Sequence, residues 1–387
     1  MIGSLYALQY ETRVRLAAGL YLLRNSRKVP SAAQPVPKPE KLLIVVSGMI
    51  GDSVMCAPAI REARRFWPGA RITLLGQSHN CALFAGCPAV DFLHEATADA
   101  FTLRRRKEIL GLKQWLLSSR FDAAIVLLGE QFGLILAHAG IAVRVGPEGH
   151  PLACCMTHTY DSGSPRSWGP QEKLNALRAL GCKPADTLPS LDVKPAARIS
   201  AAEKLNWLGV HGTTRYAALH PFGSTPCKRW PVGGAGTVAS LLEQRHGLKT
   251  LLIGQSADAA PDLFSGAALV DARSLFTLEE ILAVIERADL VISTDSGPFH
   301  IAGALGRPLV GLFRASRPEH ASRYPQARVL FGRNAACDRE CRWDRCRHVP
   351  CAQMENIAAD SVLVEANLCL NGPQFLPRSE RHGHGRS

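Results

Sequence analysis

Short runs of consecutive apolar residues recur along the chain, each followed by a turn and then by a stretch of helical periodicity. Leu42 to Val46 is the first such run; the turn Ser47-Gly48-Met49-Ile50-Gly51 follows, then a helix to Phe66 closed by Pro68-Gly69. The spacing next predicts a strand over Ile72 to Leu75, a short helix near Ala82, a basic helix from about Arg104 to Leu117 and a strand over Ala123 to Leu128. Strands that are apolar throughout are covered on both faces, and their alternation with helices predicts a parallel sheet.

A helix over Gln171 to Leu180 ends at Gly181, and Pro184, Pro189 and Pro195 then mark a domain boundary. The alternation restarts at Tyr216 to His220. It continues with a helix from Pro231 to His246, a strand over Thr250 to Ile253, a helix over Leu278 to Arg287, a strand over Leu290 to Ser293, a short helix from Pro298 to Leu305 and a strand over Leu309 to Phe313. Two successive α/β halves predict two doubly wound, Rossmann-like domains facing across a cleft, with ligands bound beyond the carboxyl ends of the strands. The expected limits are an amino-terminal extension over 1–40, a first domain over 41–195, a second over 196–370 and a disordered tail over 371–387.

The length of 387 residues agrees with two domains. An apolar share of 47% and a charged share of 20% describe a globular chain. The net charge of +12 favours anionic partners: nucleotides, phosphorylated sugars, nucleic acid or an anionic membrane face. No run approaches the ~20 apolar residues of a spanning helix. Residues 1–30 carry Leu5, Leu8, Val14, Leu16 and Leu20 among Arg13, Arg15, Arg24, Arg27 and Lys28 without the pattern of a cleaved leader. That segment reads either as a helix packed on the first domain or as one resting on a membrane surface. A cytoplasmic location is expected, and the 12 cysteines are too dilute for a disulfide scaffold.

Three loops at strand ends carry candidate chemistry. Gly48-Met49-Ile50-Gly51-Asp52-Ser53 opens a helix, and its two glycines allow close approach to the backbone; Asp52 is either a reactive carboxylate or a helix cap. The loop lacks the three-glycine spacing of a dinucleotide fingerprint. His220-Pro221-Phe222-Gly223-Ser224-Thr225-Pro226-Cys227-Lys228-Arg229-Trp230-Pro231 supplies a glycine, two hydroxyls and two cations, the groups that wrap and neutralise a diphosphate. Ser293-Thr294-Asp295-Ser296-Gly297-Pro298-Phe299-His300 brings a hydroxyl and the positive end of a helix to one point, with His300 facing that point or the core.

Together these segments resemble glycosyltransferase family 9, the bacterial ADP-heptose:lipopolysaccharide heptosyltransferases, over about Lys41 to Leu368. The motifs are Gly51-Asp52 with Ala57-Pro58-Ala59-Ile60, His220-Pro221-x-Gly-Ser with Lys228-Arg229-Trp230-Pro231, and Asp295-Ser296-Gly297-Pro298-x-His300-x-Ala302. The resemblance implies a GT-B fold, and an inverting, metal-independent transfer of heptose from ADP-heptose to a lipid A core acceptor. It implies Asp52 as general base, with Ser224, Thr225 and Lys228 on the diphosphate and Asp295, Ser296, Gly297 and His300 against diphosphate and sugar. No cofactor is implied. After Gly254 the family presents an acidic residue to the ribose, whereas this chain reads Gln255-Ser256-Ala257-Asp258, which leaves Asp258 for that role at altered spacing. Leu275 or Phe276 would line the adenine pocket or belong to the core. Gly48, Gly51, Arg104 and Arg105 form the expected acceptor side, the arginines meeting acceptor phosphates or lying on a solvated helix face.

Cys337-x3-Cys341-x4-Cys346-x4-Cys351 is looser than the paired Cys-x2-Cys of zinc ribbons and reads as a structural loop, with adventitious zinc as its alternative. Within the family, a relative using another nucleotide sugar or another glycan acceptor is the alternative; a rival in a different class is a non-catalytic nucleotide- or nucleic-acid-binding protein whose four clustered cysteines hold zinc. The low aromatic share of 6% and the lack of a stacking platform argue against nucleic acid as a partner.

Overall fold

The computed structural model describes residues 12, 14–16, 18–21, 38–97, 106–162, 169–185, 187–255, 258, 269–314, 324–338, 346 and 350–372. The chain divides into two compact units, Met1–Asp192 and Val193–Ser387, against an expected boundary at 195/196.

The first unit is a parallel sheet of β1 (Lys41–Val46), β2 (Arg71–Gly76), β3 (Phe92–Glu95), β4 (Ala123–Leu128), β5 (Val143–Pro147) and β6 (His158–Tyr160), ordered β3-β2-β1-β4-β5-β6. The sequence Lys-Leu-Leu-Ile-Val-Val of β1 is buried after its first residue, as a central strand covered on both faces must be. Leu43, Val45, Leu75, Ala124 and Val126 form one face of the sheet, packed under Leu112 and Leu116 of the helix Arg106–Ser119. Val14 and Ala18, in the helical residues near the amino terminus, pack on Leu152 and Cys155.

The second unit repeats the plan with β7 (Tyr216–His220), β8 (Lys249–Leu252), β9 (Leu269–Asp271), β10 (Leu290–Thr294), β11 (Leu309–Arg314) and β12 (Ala327–Gly332), all parallel and ordered β12-β11-β10-β7-β8-β9. In both units the chain winds outward from the central strand, then crosses back and winds the other way. The order therefore reverses between β1 and β4 and between β7 and β10, the places where such sheets bind ligands.

The helices Pro195–Trp207 and Leu278–Arg287 pair through Lys204, which donates to Glu280 at 2.7 Å. Thr277 and Glu280 form a reciprocal cap at the start of the second helix. Burial acts to raise the Glu280 carboxyl, but hydrogen bonds from Lys204, Ser200 and Thr277 outweigh it and bring the pKa from 4.5 to about 2. The folded state thus binds this proton less readily than the unfolded chain. The stabilisation is complete above pH 4.5 and is lost as pH falls toward 2. Urea unfolding across that window should show stability falling with pH, and Glu280→Gln should flatten that fall.

Candidate active site

In the first unit the loop after β1 sits where the strand order reverses. A Cβ on Gly48 would lie 2.9 Å from Leu128 Cδ1, so a side chain there would have to displace the tip of that leucine. The Gly48 carbonyl accepts hydrogen bonds from His79 Nε2 at 2.8 Å and Asn80 Nδ2 at 2.9 Å. Asn80 Nδ2 also donates to Ser53 Oγ at 2.8 Å, and Ser53 Oγ donates to the Met49 carbonyl at 2.9 Å. These bonds pin the short helix Ile50–Val54. Ser53 and Val54 turn inward, while Asp52 in the first turn points to solvent.

Met49 is the cap residue and makes no side-chain cap bond, so Asp52 does not cap the helix. Among the described residues no hydrogen bond or ion pair engages the Asp52 carboxylate. The neighbouring Cys56 thiol is pushed up to about 12 by burial, stays protonated and offers no nucleophile.

In the second unit β7 and β10 are neighbours with Ser293 opposite His220, so the loops that follow them emerge side by side. Gly223 lets the first loop fold on itself: a Cβ there would stand 2.6 Å from Lys228 Cβ. A 3-10 turn over Pro226–Lys228 then presents Lys228 to the second loop. Its Nζ lies 2.8 Å from Asp295 Oδ2 and donates to the Asp295 carbonyl at 3.3 Å. The other carboxylate oxygen, Oδ1, stands 4.0 Å from His300 Nε2, so His300 faces Asp295 from the helix Gly297–Ala304. Its ring packs edge-on against Phe299 and Tyr324.

Ser296 precedes that helix without capping it by its side chain. Its Oγ shares hydrogen bonds with His220 Nδ1 at 3.0 Å and Ser293 Oγ at 3.1 Å, and donates to the Thr294 carbonyl at 3.1 Å. Burial pulls the His220 pKa down to about 4, with Asp258 acting in the opposite sense, so the ring is neutral at pH 7. The hydroxyl of Ser296 is thus held in place; of the first helix residues Pro298 has no N–H and Phe299 donates to the Ser296 carbonyl at 3.2 Å, which leaves the Gly297 amide as the first-turn donor to a ligand. Ser224 is exposed and Thr225 half-buried on the facing loop, with Thr225 Oγ1 3.3 Å from Cys227 Sγ.

The base of the first loop is fixed by Trp230. Its backbone N–H donates to Pro221 at 2.8 Å and its buried Nε1 donates to the Ile357 carbonyl at 3.0 Å. Trp230→Phe removes that indole donor and leaves a buried carbonyl unpaired, at an expected cost of about 1–3 kcal/mol. A shift of the urea midpoint at constant slope checks it.

The loop after β8 closes the same end of the sheet. Asp258 Oδ2 accepts from the Gln255 N–H at 2.8 Å, and Asp258 Oδ1 lies 3.9 Å from Arg229 Nη2. A Cβ on Gly254 would meet the Phe222 ring at 2.7 Å, so this loop and the Lys228 loop touch. Leu275 and Phe276 are half-buried; the Leu275 carbonyl accepts from Lys204 at 3.0 Å.

Reading the sequence put Lys228 and Asp295 in one region but missed their ion pair, and it missed the bond between His220 and Ser296. Both follow from the adjacency of β7 and β10, which the expected strand winding already contained. Arg104, Arg105 and Cys341 lie outside the described residues. Cys337 and Cys346 are half-buried, whereas Cys351 is packed in the core of the second unit. Among the described residues no three potential metal ligands come together, and no helix is long and apolar enough to cross a membrane.

Comparison with known proteins adds independent findings. The chain is 24% identical over 278 residues to lipopolysaccharide heptosyltransferase 3 of Escherichia coli K12, covering 69% of this chain and 80% of the relative. It is 26% identical over 316 residues to lipooligosaccharide heptosyltransferase 2 of Haemophilus ducreyi, covering 75% of this chain and 88% of the relative. Its fold is similar to that of a family 9 glycosyltransferase from Veillonella parvula, with a TM-score of 0.74, 20% identity, and coverage of 88% of this chain and 99% of the other. It is also similar to E. coli ADP-heptose lipopolysaccharide heptosyltransferase II, with a TM-score of 0.67, 21% identity, and coverage of 85% and 98%. Two parallel six-stranded sheets with these likenesses make the fold GT-B. The profile of glycosyltransferase family 9 (heptosyltransferase) matches residues 109–348, a span that holds both loops of the second unit and leaves Asp52 to its own geometry. With more than half of the chain matched by that profile, the protein is a glycosyltransferase and belongs to glycosyltransferase family 9.

Proposed function

We propose that this enzyme transfers heptose from ADP-heptose to a hydroxyl of the lipopolysaccharide core, with inversion at the anomeric carbon and without a metal ion. The observation that carries the reading is the contact of Lys228 with Asp295 beside the start of the helix Gly297–Ala304, where the strand order of the second sheet reverses. An ammonium group beside a helix start with the Gly297 amide suits a diphosphate leaving group, the charge a divalent cation otherwise balances. Similarity to a lipopolysaccharide heptosyltransferase and, in fold, to an ADP-heptose lipopolysaccharide heptosyltransferase supports the donor and acceptor class.

In this reading the diphosphate of the donor lies on Ser224, Thr225 and Lys228, with Asp258 toward the ribose. Asp295, Ser296, Gly297 and His300 line the sugar side. Asp52 takes the proton of the acceptor hydroxyl, the oxygen forms a bond to the anomeric carbon, and the bond from that carbon to the phosphate oxygen breaks. ADP leaves with its new charge beside Lys228. General-base catalysis requires Asp52 within hydrogen-bond reach of the acceptor hydroxyl, and its outward, unengaged carboxylate meets the chemical requirement. Gly48 and Gly51 would let the acceptor approach the backbone, and Arg104 and Arg105 would meet its anionic groups. The reaction belongs in the cytoplasm, at the inner face of the membrane that holds the acceptor.

Calorimetric titration with ADP, UDP, GDP and CMP in EDTA tests the donor assignment. Selective ADP binding is expected; selective UDP or GDP binding would keep the family and replace the donor.

A further inference from the structure

The first unit holds a cavity of about 370 Å³ at the end of its sheet away from Asp52, within the range of about 300–1,000 Å³ typical of small-molecule sites. Lys41, Arg71 and Phe92 are the first residues of β1, β2 and β3, so the cavity opens where the strands begin. The length of β1, about 17 Å at the usual rise, separates it from the loop that carries Asp52.

Register explains its lining. Lys41 pairs with Arg71, Thr73 with Phe92 and Leu75 with His94, which puts Arg71, Thr73 and Leu75 on one face of β2. Farther along, that face is apolar and covered by Leu112 and Leu116. At its start the helix ends at Ser119, and Lys41, Arg71 and the mostly buried Thr73 replace the aliphatic stripe.

Trp115 and His94 form one wall, stacked face to face at 3.5 Å with 5° between planes. The Arg71 guanidinium lies 4.1 Å from the Phe92 ring centroid, a contact worth about 0.5–1 kcal/mol at an exposed site. Lys41 Nζ donates to the Ser119 carbonyl at 3.1 Å. Among the described residues neither cation has an acidic partner, and neither the Thr73 hydroxyl nor the Trp115 indole N–H has a hydrogen-bond partner. No acidic side chain lines the cavity. Two cations without an ion-pair partner, two donors without a hydrogen-bond partner and a stacked aromatic pair are complementary to one chemical class.

We propose that this cavity binds a small anion bearing a planar apolar body, an aryl phosphate, sulfonate or carboxylate, with its charge between Lys41 and Arg71 and its ring against the stacked His94–Trp115 pair and Phe92. Every residue that lines it belongs to the first unit, and the proposal does not depend on the identity of the sugar donor.

The test is titration with 1-naphthyl phosphate, followed by calorimetry and by ligand-observed NMR, on the full chain. The expected result is one site that weakens at least tenfold in the Lys41→Ala/Arg71→Ala double variant and also weakens in the near-isosteric Thr73→Val, while Lys228→Ala binds as the unaltered protein does. Inorganic phosphate, which lacks the ring, and 1-naphthol, which lacks the charge, should each bind at least tenfold more weakly. Lys41 and Arg71 are exposed at the starts of their strands, and unchanged thermal midpoints establish that their variants fold. No binding, equal binding by 1-naphthol, undiminished binding in the double variant, or binding lost in Lys228→Ala would each overturn the proposal.

Discussion

Asp52→Asn is expected to lower the transfer rate by about two to four orders of magnitude, the range that a positioned general base supplies, while ADP binds with unchanged affinity. Asparagine keeps the size of the side chain and removes its ability to accept a proton. Because the carboxylate is outward-facing and no described residue hydrogen-bonds to it, the substitution breaks no internal contact. Thermal unfolding should therefore be unchanged, which separates lost chemistry from lost structure. Steady-state transfer kinetics beside ADP calorimetry make the measurement. Near-normal turnover in the variant would remove Asp52 from the reaction.

Lys228→Ala should weaken ADP binding and slow turnover together. A charged hydrogen bond of this type is worth about 1.5–3 kcal/mol, or roughly 10- to 150-fold in affinity. The loss has a second component. Lys228 is paired with Asp295, both side chains being mostly buried at 21% and 17% exposure, so its removal leaves a carboxylate facing the diphosphate with no ammonium beside it. Two like charges then meet where one pair stood. Adding Asp295→Asn to Lys228→Ala should recover part of the ADP affinity, a coupling that a double-mutant cycle reads directly. Unchanged ADP affinity in Lys228→Ala would place the diphosphate elsewhere.

The interior strands that the sequence analysis located, β1, β2, β4, β7, β8, β10 and β11, are the ones buried on both faces, where an unbroken apolar run is physically required. The four strands at the sheet edges escaped it. Phe92-Leu93-His94-Glu95 is largely exposed, His158–Tyr160 and Leu269–Asp271 have three residues each, and β12 is half-exposed along most of its length. An edge strand is covered by less protein, so little in its composition distinguishes it from a loop. The interior β5 was hidden differently, by Arg144, Gly146 and Pro147 within five residues.

The site shows the same division. The loops were legible because glycine, hydroxyl and cationic residues at strand ends have few structural reasons to cluster. The contact of Lys228 with Asp295, 67 residues apart in the chain, was not legible, since it depends on which strands become neighbours. Nor was the role of His220: its position at a strand end is plain from sequence, but its burial and its bond to Ser296 belong to tertiary structure. The cavity at the start of β1 and β2 likewise needs the sheet register before its two cations meet.

The central claim is that the chain moves heptose from ADP-heptose with Asp52 and Lys228 doing the work a base and a cation must do. Its most direct test is to incubate the purified protein in EDTA with ADP-heptose and a heptose-deficient lipopolysaccharide core, and to follow ADP release together with the anomeric configuration of the product by NMR. The account predicts acceptor-dependent ADP release, an inverted glycosidic linkage and no gain on adding magnesium. A retained configuration, a strict requirement for a divalent cation, or transfer only from a sugar carried on another nucleotide would contradict it.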